Sequence, residues 1–406
     1  MAGRVVVTGL GVVAGISCGA AAVAEMLRRS TMPCSEVDRT AGYHLPESSR
    51  QAVVSASLDL STWVPPAMGR RMSPPSKLAV AAARMAVEDA GLTGAVSGPR
   101  TAVVMSSAFG GIQFNERLLR TVFLDSPEMV LPFTFMESVA NVAAAHIAIV
   151  TGAQGPNLTV VQREAGILTA VGRGAAEVAA GRAACALVGG VEEMSPLLHA
   201  VLDRFHALAR PGSGGGEVAR PFDRERSGFV AAEGAVVLVL EDENRARVRG
   251  ATIRAVVRGF GGAFDPSAAR VGWGRGHASL AQALRGLLTR LELAPSDVGR
   301  IVSGASGSVT GDRLEALTLR DAWRHDPLPP ILAPKGVVGQ YGGGFLASAV
   351  LSVNDPEPGA TAGFREADPV MAITPHRGGP LPPADLTLVT SLASGGAASW
   401  LILEQA

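Results

Sequence analysis

The segment RPFDRERSGFVAAEGAVVLVLE, Arg220 to Glu241, decides how this chain is read. It ends in an unbroken apolar run, Ala235–Leu240, the pattern of a strand buried on both faces. Short β-branched runs of the same kind lie on either side. Before it come Arg4–Thr8, Thr101–Ser106, Leu158–Gln162 and Cys185–Gly189; after it come Ile253–Gly259, Arg300–Ser303, Pro330–Ala333, Leu386–Ser391 and Ser399–Glu404. Between them are Ala-rich amphipathic stretches that read as helices: Lys77–Ala90, Glu164–Ala180, Ser279–Leu291, Asp312–Trp323 and Gly343–Val353. Alternation of this kind predicts an α/β protein with parallel strands and helices on both faces. Loops fall at the Pro- and Gly-rich stretches Pro65–Pro75, Pro211–Val218, Asn354–Pro369 and Pro375–Pro383.

The strands form two sets, and one echo links them. ALVGGVEEMS (Ala186–Ser195) and VTSLASGGAAS (Val389–Ser399) each carry a strand that ends in a Gly pair. Two similar halves are expected, residues 1–245 and 246–406, joined near Glu241–Gly250 and packed as five layers, α-β-α-β-α.

Composition narrows the function. The chain has 406 residues, 47% hydrophobic and 18% charged, with formal net charge +0. That length supports one large core or two fused ones. The absence of a basic surplus argues against a nucleic-acid partner. Three cysteines (Cys18, Cys34 and Cys185) give no disulfide framework and fit a reducing, cytoplasmic setting. The seven histidines are scattered, and no His/Cys/acid cluster has metal-ligand spacing, so neither metal nor cofactor is expected. No apolar run reaches the ~18 residues of a membrane helix. The N-terminal MAGRVVVTGLGVVAG has a single Arg and an interrupted apolar run, so it reads as a buried strand followed by a turn.

Three short patterns mislead. TGLGVVAG (Thr8–Gly15) is one residue too long for a dinucleotide fingerprint. GISCG (Gly15–Gly19) matches G-x-S-x-G, but a strand-to-helix turn of small residues explains it as well. SGGGE (Ser213–Glu217) lacks the Lys-Ser/Thr of a phosphate loop and reads as surface loop.

Four longer segments carry more: RPFDRERSGFVAAEGAVVLVLE, RAACALVGGVEEMS (Arg182–Ser195), APKGVVGQYGGG (Ala333–Gly344) and SLASGGAASWLILE (Ser391–Glu404). With the opening VVVTGLGVV they resemble the β-ketoacyl synthases of the thiolase superfamily over nearly the whole chain. The resemblance implies a Cys nucleophile at a strand–helix junction and two histidines that decarboxylate malonyl-carrier protein. Helix N-terminal amides lower a thiol pKa and cradle an oxyanion, and imidazoles stabilise an enolate.

Each of these positions is altered. The cysteine position falls on Glu164, the first histidine near Gly304, and the second on Gln340, where Lys335 of the Lys-x-x-x-Gly-His motif is kept. The gating Gly-Phe-Gly-Gly becomes Ala393-Ser394-Gly395-Gly396. Losing one acid–base group costs ~10²–10⁴ in rate, so losing the set leaves no useful condensation. A scaffold of this kind without its catalytic set is similar to the chain length factor, the β subunit of type II polyketide synthases. There a Gln usually replaces the Cys, and Glu-Ala-Gly-Ile-Leu-Thr-Ala-Val-Gly (Glu164–Gly172) keeps that frame with Glu for Gln. Glu164 otherwise reads as a helix cap or the partner of a nearby Arg.

The resemblance implies a heterodimer with an active ketosynthase, carrier protein served by the complex, and a tunnel whose length the silent subunit sets. In SSAFGGIQFNERLLR (Ser106–Arg120), Ile112, Asn115 and Leu119 recur on one helical face and are the candidate gate. Two alternatives stand beside this reading: a malonyl-carrier-protein decarboxylase that primes synthesis, and a structural homodimeric scaffold.

Overall fold

The computed structural model describes residues 3–55, 58–212, 216–324, 326–341 and 343–406. Ten strands form its main sheet path: β1 (Val5–Ala14), β2 (Thr101–Ser106), β3 (Asn157–Val160), β4 (Cys185–Glu192), β5 (Gly234–Asp242), β6 (Ala255–Phe264), β7 (Arg300–Ser303), β8 (Ile331–Leu332), β9 (Leu386–Leu392) and β10 (Ala397–Glu404). The helices that matter for the site are α1 (Pro74–Asp89), α2 (Ile112–Arg120), α3 (Pro132–Ser138), α4 (Val142–Thr151), α5 (Gly166–Ala179), α6 (His277–Arg290), α7 (Val309–Trp323) and α8 (Gly344–Ser352).

The strand order is β8-β7-β9-β10-β6-β1-β5-β4-β2-β3. It divides into two runs of the same topology. In β3-β2-β4-β5-β1 the successive pairings are parallel, parallel, antiparallel, antiparallel, and β8-β7-β9-β10-β6 repeats that order. The runs meet at a short antiparallel contact, Val5–Val257 to Val7–Ala255. The structure therefore has the repeated α/β architecture, while the expectation of parallel strands throughout holds for only half of each run. The reason is in the connections. β9 and β10 are joined by Ala393–Gly396 alone, and so short a link can join only antiparallel strands. The stretch Glu241–Gly250 is no open linker: it carries a helix, Glu243–Val248, capped by the Asp242 carboxylate on the Arg245 N–H.

Helices fill three layers. α5 packs on β4 and β2 from the first run and on β6 and β10 from the second; α8 likewise touches β1, β5, β7 and β9. These two form the middle layer, where Ile167, Leu168, Phe345 and Leu346 meet Val236, Leu238, Val389 and Leu401. α1 covers the outer face of β1, β5 and β4, and α6 with α7 covers the far side of β6. The result is α-β-α-β-α.

β1 runs six residues past the sequence expectation, through the glycines that suggested a turn. Gly9 and Gly11 are there because α1 presses its backbone onto the strand: a Cβ on either would strike the carbonyl oxygen of Ala86 or Ala82. Gly15 (φ +55) then turns the chain so that Ser17 and Cys18 pair back on Ala14 and Val13. Both the dinucleotide and nucleophile-elbow patterns are thus strand and hairpin. Of the loop Ser213–Glu217, residues 213–215 lie outside the described residues, as does His325; Glu217 accepts the N–H groups of Arg50 and Gln51.

Candidate functional site

The site is built where β3 gives way to α5. The chain leaves the sheet at Val160, and Arg163 takes a left-handed conformation (φ +47) that bends it into a single 3-10 turn, Arg163–Ala165. That residue pays strain for position, and it delays α5 to Gly166, two residues later than the sequence indicated. The bend is fixed by the hairpin between β9 and β10. The Arg163 guanidinium donates to the Ser394 hydroxyl (2.9 Å), the Ser394 carbonyl (3.2 Å) and the Arg270 carbonyl (3.1 Å). Glu164 is held at both ends: its carbonyl accepts the Ser391 hydroxyl (2.7 Å), and its carboxylate accepts the Ser394 N–H (3.2 Å). Burial raises the pKa of that carboxyl above the ordinary range, against the pull of its own N–H, Lys335 and Arg163.

Lys335 is fully buried, with its ammonium 4.8 Å from the centre of the Phe345 ring. Three carboxylates, Glu164, Glu315 and Asp312, set the field around it, and burial still lowers its pKa. Glu315 accepts the Ser303 hydroxyl (2.6 Å) and the Gly304 N–H (3.2 Å), and burial pushes its carboxyl up to about 7. Asp312 accepts the N–H groups of Phe222, Ser306 and Gly307, which organises the turn after β7. Lys335 thus sits where it can balance buried acids.

Gly304 is more than a truncated side chain. A Cβ placed on it would lie 2.8 Å from the Thr390 carbonyl oxygen and 3.1 Å from the Ser391 Cα. The backbone has closed over the place where an imidazole would begin. Gln340 is held by its main chain, donating to the Val230 carbonyl (2.8 Å) and accepting from Ala232 (3.1 Å). Its side-chain Oε1 is buried with no hydrogen-bond partner among the described residues.

A cavity of about 410 Å³ opens beside this junction, and Glu164, Gln340 and Ser394 all line it. Gly304 and Lys335 are not among the lining residues. Two acids that sequence reasoning did not single out also line it, Glu192 and Glu193, at the end of β4. Glu192 accepts the N–H groups of Ala108 and Phe109 (3.2 Å for the latter) and the Ser107 hydroxyl (3.4 Å). Glu193 accepts the Gln113 N–H (2.6 Å). Burial pushes their carboxyls up to about 8 and about 7. Their signal was the Glu-Glu pair directly after an apolar strand with no turn residue between.

These acids anchor the entrance to α2, the candidate gate. Ile112 is half-buried against the cluster of Met194 and Leu198, the Asn115 Nδ2 donates to the Ser138 carbonyl (2.9 Å), and Leu119 is 52% exposed. None of the three lines the cavity. The cysteines are absent from it too, and Cys185 opens β4 with its thiol pushed up to about 12 by burial. Among the described residues no group of three His, Cys, Asp or Glu could hold a metal ion.

Residues 2–246 match the model of the beta-ketoacyl synthase N-terminal domain. A putative polyketide beta-ketoacyl synthase 2 of Streptomyces halstedii is 32% identical over 378 residues, covering 92% of this chain and 87% of the relative. A protein of the same description from Streptomyces cyaneus is 30% identical over 86% of this chain and 83% of its own length. Among solved structures, the ishigamide ketosynthase/chain length factor superposes with a TM-score of 0.90 at 26% identity, with full coverage of both chains. The chain belongs to the beta-ketoacyl synthase family and has its thiolase-like fold. Within that family it is similar to the ketosynthase and chain length factor proteins of type II polyketide synthases.

Proposed function

We propose that the chain is the catalytically silent partner of an active ketosynthase, a chain length factor that bounds the tunnel in which a carrier-protein-bound polyketide grows. The observation that carries this reading is the junction itself. The half-buried Glu164 and the Gln340 amide line its cavity, and Gly304 has a backbone that leaves no room for a side chain. Carbon–carbon bond formation needs a thiolate to hold the acyl chain and imidazoles to stabilise the enolate. A carboxylate attacking a thioester would give a mixed anhydride that hydrolyses. The site also gives malonyl decarboxylation no imidazole to stabilise the enolate, with Gly304 and Gln340 at the two histidine positions.

The surface supports a partner. Phe123, Leu124, Met129, Leu131, Phe135 and Met136 are each at least 58% exposed, and all lie between α2 and α4. α4, which follows this run, packs on β3, the last strand of the sheet among the described residues, where Leu158 and the following Val161 are both exposed. An apolar face beside the last strand of a sheet marks an interaction surface. No single helix among the described residues is long and apolar enough to cross a membrane; α3 and α4 pass that test only together, bent by 100°. A protein interface is therefore the better occupant, and a cytoplasmic heterodimer with a ketosynthase is the assembly proposed. The carrier protein reaches the chain through that complex. Residues 1–245 and 246–406 are its two ketosynthase-like halves. Ile112, Asn115 and Leu119 on α2 are the proposed gate, and the exposure of Leu119 supports a role for it at the partner surface.

The test is co-expression with candidate ketosynthases. Copurification of a stable pair, condensation that needs both chains, and shorter products from Leu119→Trp or Ile112→Trp are expected. A stable homodimer that never captures a ketosynthase overturns the reading.

A further inference from the structure

The gate helix is weakly held from within. α2 has nine residues, of which Phe114 alone is buried, and a helix this short is marginal without outside support. Glu193 fixes its N-terminus through the Gln113 N–H, and the Asn115 Nδ2 ties one side of it to the Ser138 carbonyl. A third hold comes from outside the main sheet, from the loop of residues 37–50. The ends of that loop are close together: Ser35 and Glu36 pair with Ala52 and Gln51, and the Val37 N–H donates to the Arg50 carbonyl (2.8 Å). Its own bonds stiffen it. Asp38 accepts the Thr40 N–H (2.9 Å) and hydroxyl (2.7 Å), the Arg39 guanidinium donates to the Leu45 carbonyl, and the Ser48 hydroxyl accepts the Leu45 N–H (3.1 Å).

Two adjacent residues of the loop reach two different helices. The Tyr43 hydroxyl donates to the Glu116 carboxylate on α2 and lies beside Arg120. The His44 Nε2 meets Nδ1 of the fully buried His199 (3.0 Å), whose Nε2 faces the Gln51 carbonyl (3.3 Å). His199 belongs to the helix Pro196–Arg204, which gives Leu198, Val201 and Leu202 to the cavity wall. Val37, at the base of the loop, shares an apolar cluster with Leu198 and Ile112. The loop is thus braced on the helix beside the cavity and grips the gate helix at Glu116. Glu116 stands one turn after Ile112 and one turn before Leu119, so it adjoins the face that those residues share with Asn115. A grip there fixes how α2 is turned about its axis.

We propose that Tyr43 is a positioning residue for the gate: through Glu116 and Arg120 it sets the rotation of α2, and so the direction of Ile112, Asn115 and Leu119, with the His44–His199 pair as its brace. The effect on product length rests on the chain length factor reading; the grip on the helix does not.

Hydrogen exchange of the full chain tests the grip, and product lengths test its consequence. Tyr43→Phe, which removes only the hydroxyl, and Glu116→Ala should each speed exchange at the amides of residues 115–120 by about tenfold or more, the weight of a hydrogen bond to a charged group. The double variant should add little to either alone, because both remove one contact. Glu116→Gln keeps an acceptor oxygen and should stay near the parent. In the complex with its ketosynthase, Tyr43→Phe should broaden the spread of product lengths while the pair still copurifies. Unchanged exchange in Tyr43→Phe, additive single variants, or a product distribution that Leu119→Trp shortens and Tyr43→Phe leaves alone overturns the proposal. Product lengths unmoved by Leu119→Trp overturn the gate reading instead, and the exchange result then decides the grip by itself.

Discussion

Replacing Glu192 with Gln should change how stability depends on pH in a direction fixed by its burial. The carboxyl is 3% exposed, and its folded-state pKa is raised from 4.5 to about 8, chiefly by desolvation. An acid raised on folding holds its proton longer in the native state than in the unfolded chain. Its stabilising contribution is complete below pH 4.5 and is lost as pH rises towards 8. Each unit in that window is worth about 1.4 kcal/mol, so between pH 5.5 and 8 this single group should remove on the order of 3 kcal/mol. Gln has nothing to ionise and keeps one acceptor oxygen, enough for the Ala108 N–H on Oε1 but not for the Phe109 N–H, which donates to Oε2. Glu192→Gln should therefore lose about 1–3 kcal/mol at pH 5.5 for the unmade Phe109 bond and gain on the parent by roughly 3 kcal/mol as pH rises to 8.5. Glu193, whose charge raises Glu192, remains. Urea midpoints of both proteins at pH 5.5, 7 and 8.5 measure the difference. Parallel pH profiles, or a variant that falls further behind as pH rises, would refute the burial argument and with it the account of how the 107–113 segment is held.

Lys335→Met should cost roughly 3–5 kcal/mol, because it leaves Glu164, Glu315 and Asp312 without their buried cation; the loss should grow from pH 6 to pH 8 as Glu315 ionises, read by urea midpoints. Gly304→Ala should cost about 1–3 kcal/mol by overpacking against the Thr390 carbonyl, and a melting temperature unchanged from the parent would show that the backbone yields easily. For the same reason Glu164→Cys alone should restore no condensation in a carrier-protein assay. Leu124→Asp with Phe135→Asp, both on the exposed apolar face, should abolish copurification with a ketosynthase while leaving the circular dichroism spectrum intact.

Strand positions were legible because buried strands read as unbroken β-branched runs, and every expected run lies on a strand of the main sheet. Strand direction was not, because it is written in the links: four residues between β9 and β10 force antiparallel pairing, and composition does not register that. α4, VAAAHIAIVT, was missed for a different reason. It is apolar nearly all round, buries Val142, Ala143, Ala144 and Ile147, and still exposes Ile149, so it has no helical period to read. The site divides in the same way. Glu164 and Gln340 could be found because each stands at a position where the surrounding motif expects another residue. Glu192 and Glu193 left only their adjacency to an apolar strand as a signal, which was passed over because an acid at a strand end normally faces water. Here the N–H groups that receive them come from residues 108, 109 and 113, some eighty positions earlier. That separation has a functional consequence. Glu192 and Glu193 hold the segment before and at the start of the proposed gate helix by hydrogen bonds to residues 107, 108, 109 and 113, so ionising either acid acts directly on the stretch that leads into Ile112, Asn115 and Leu119.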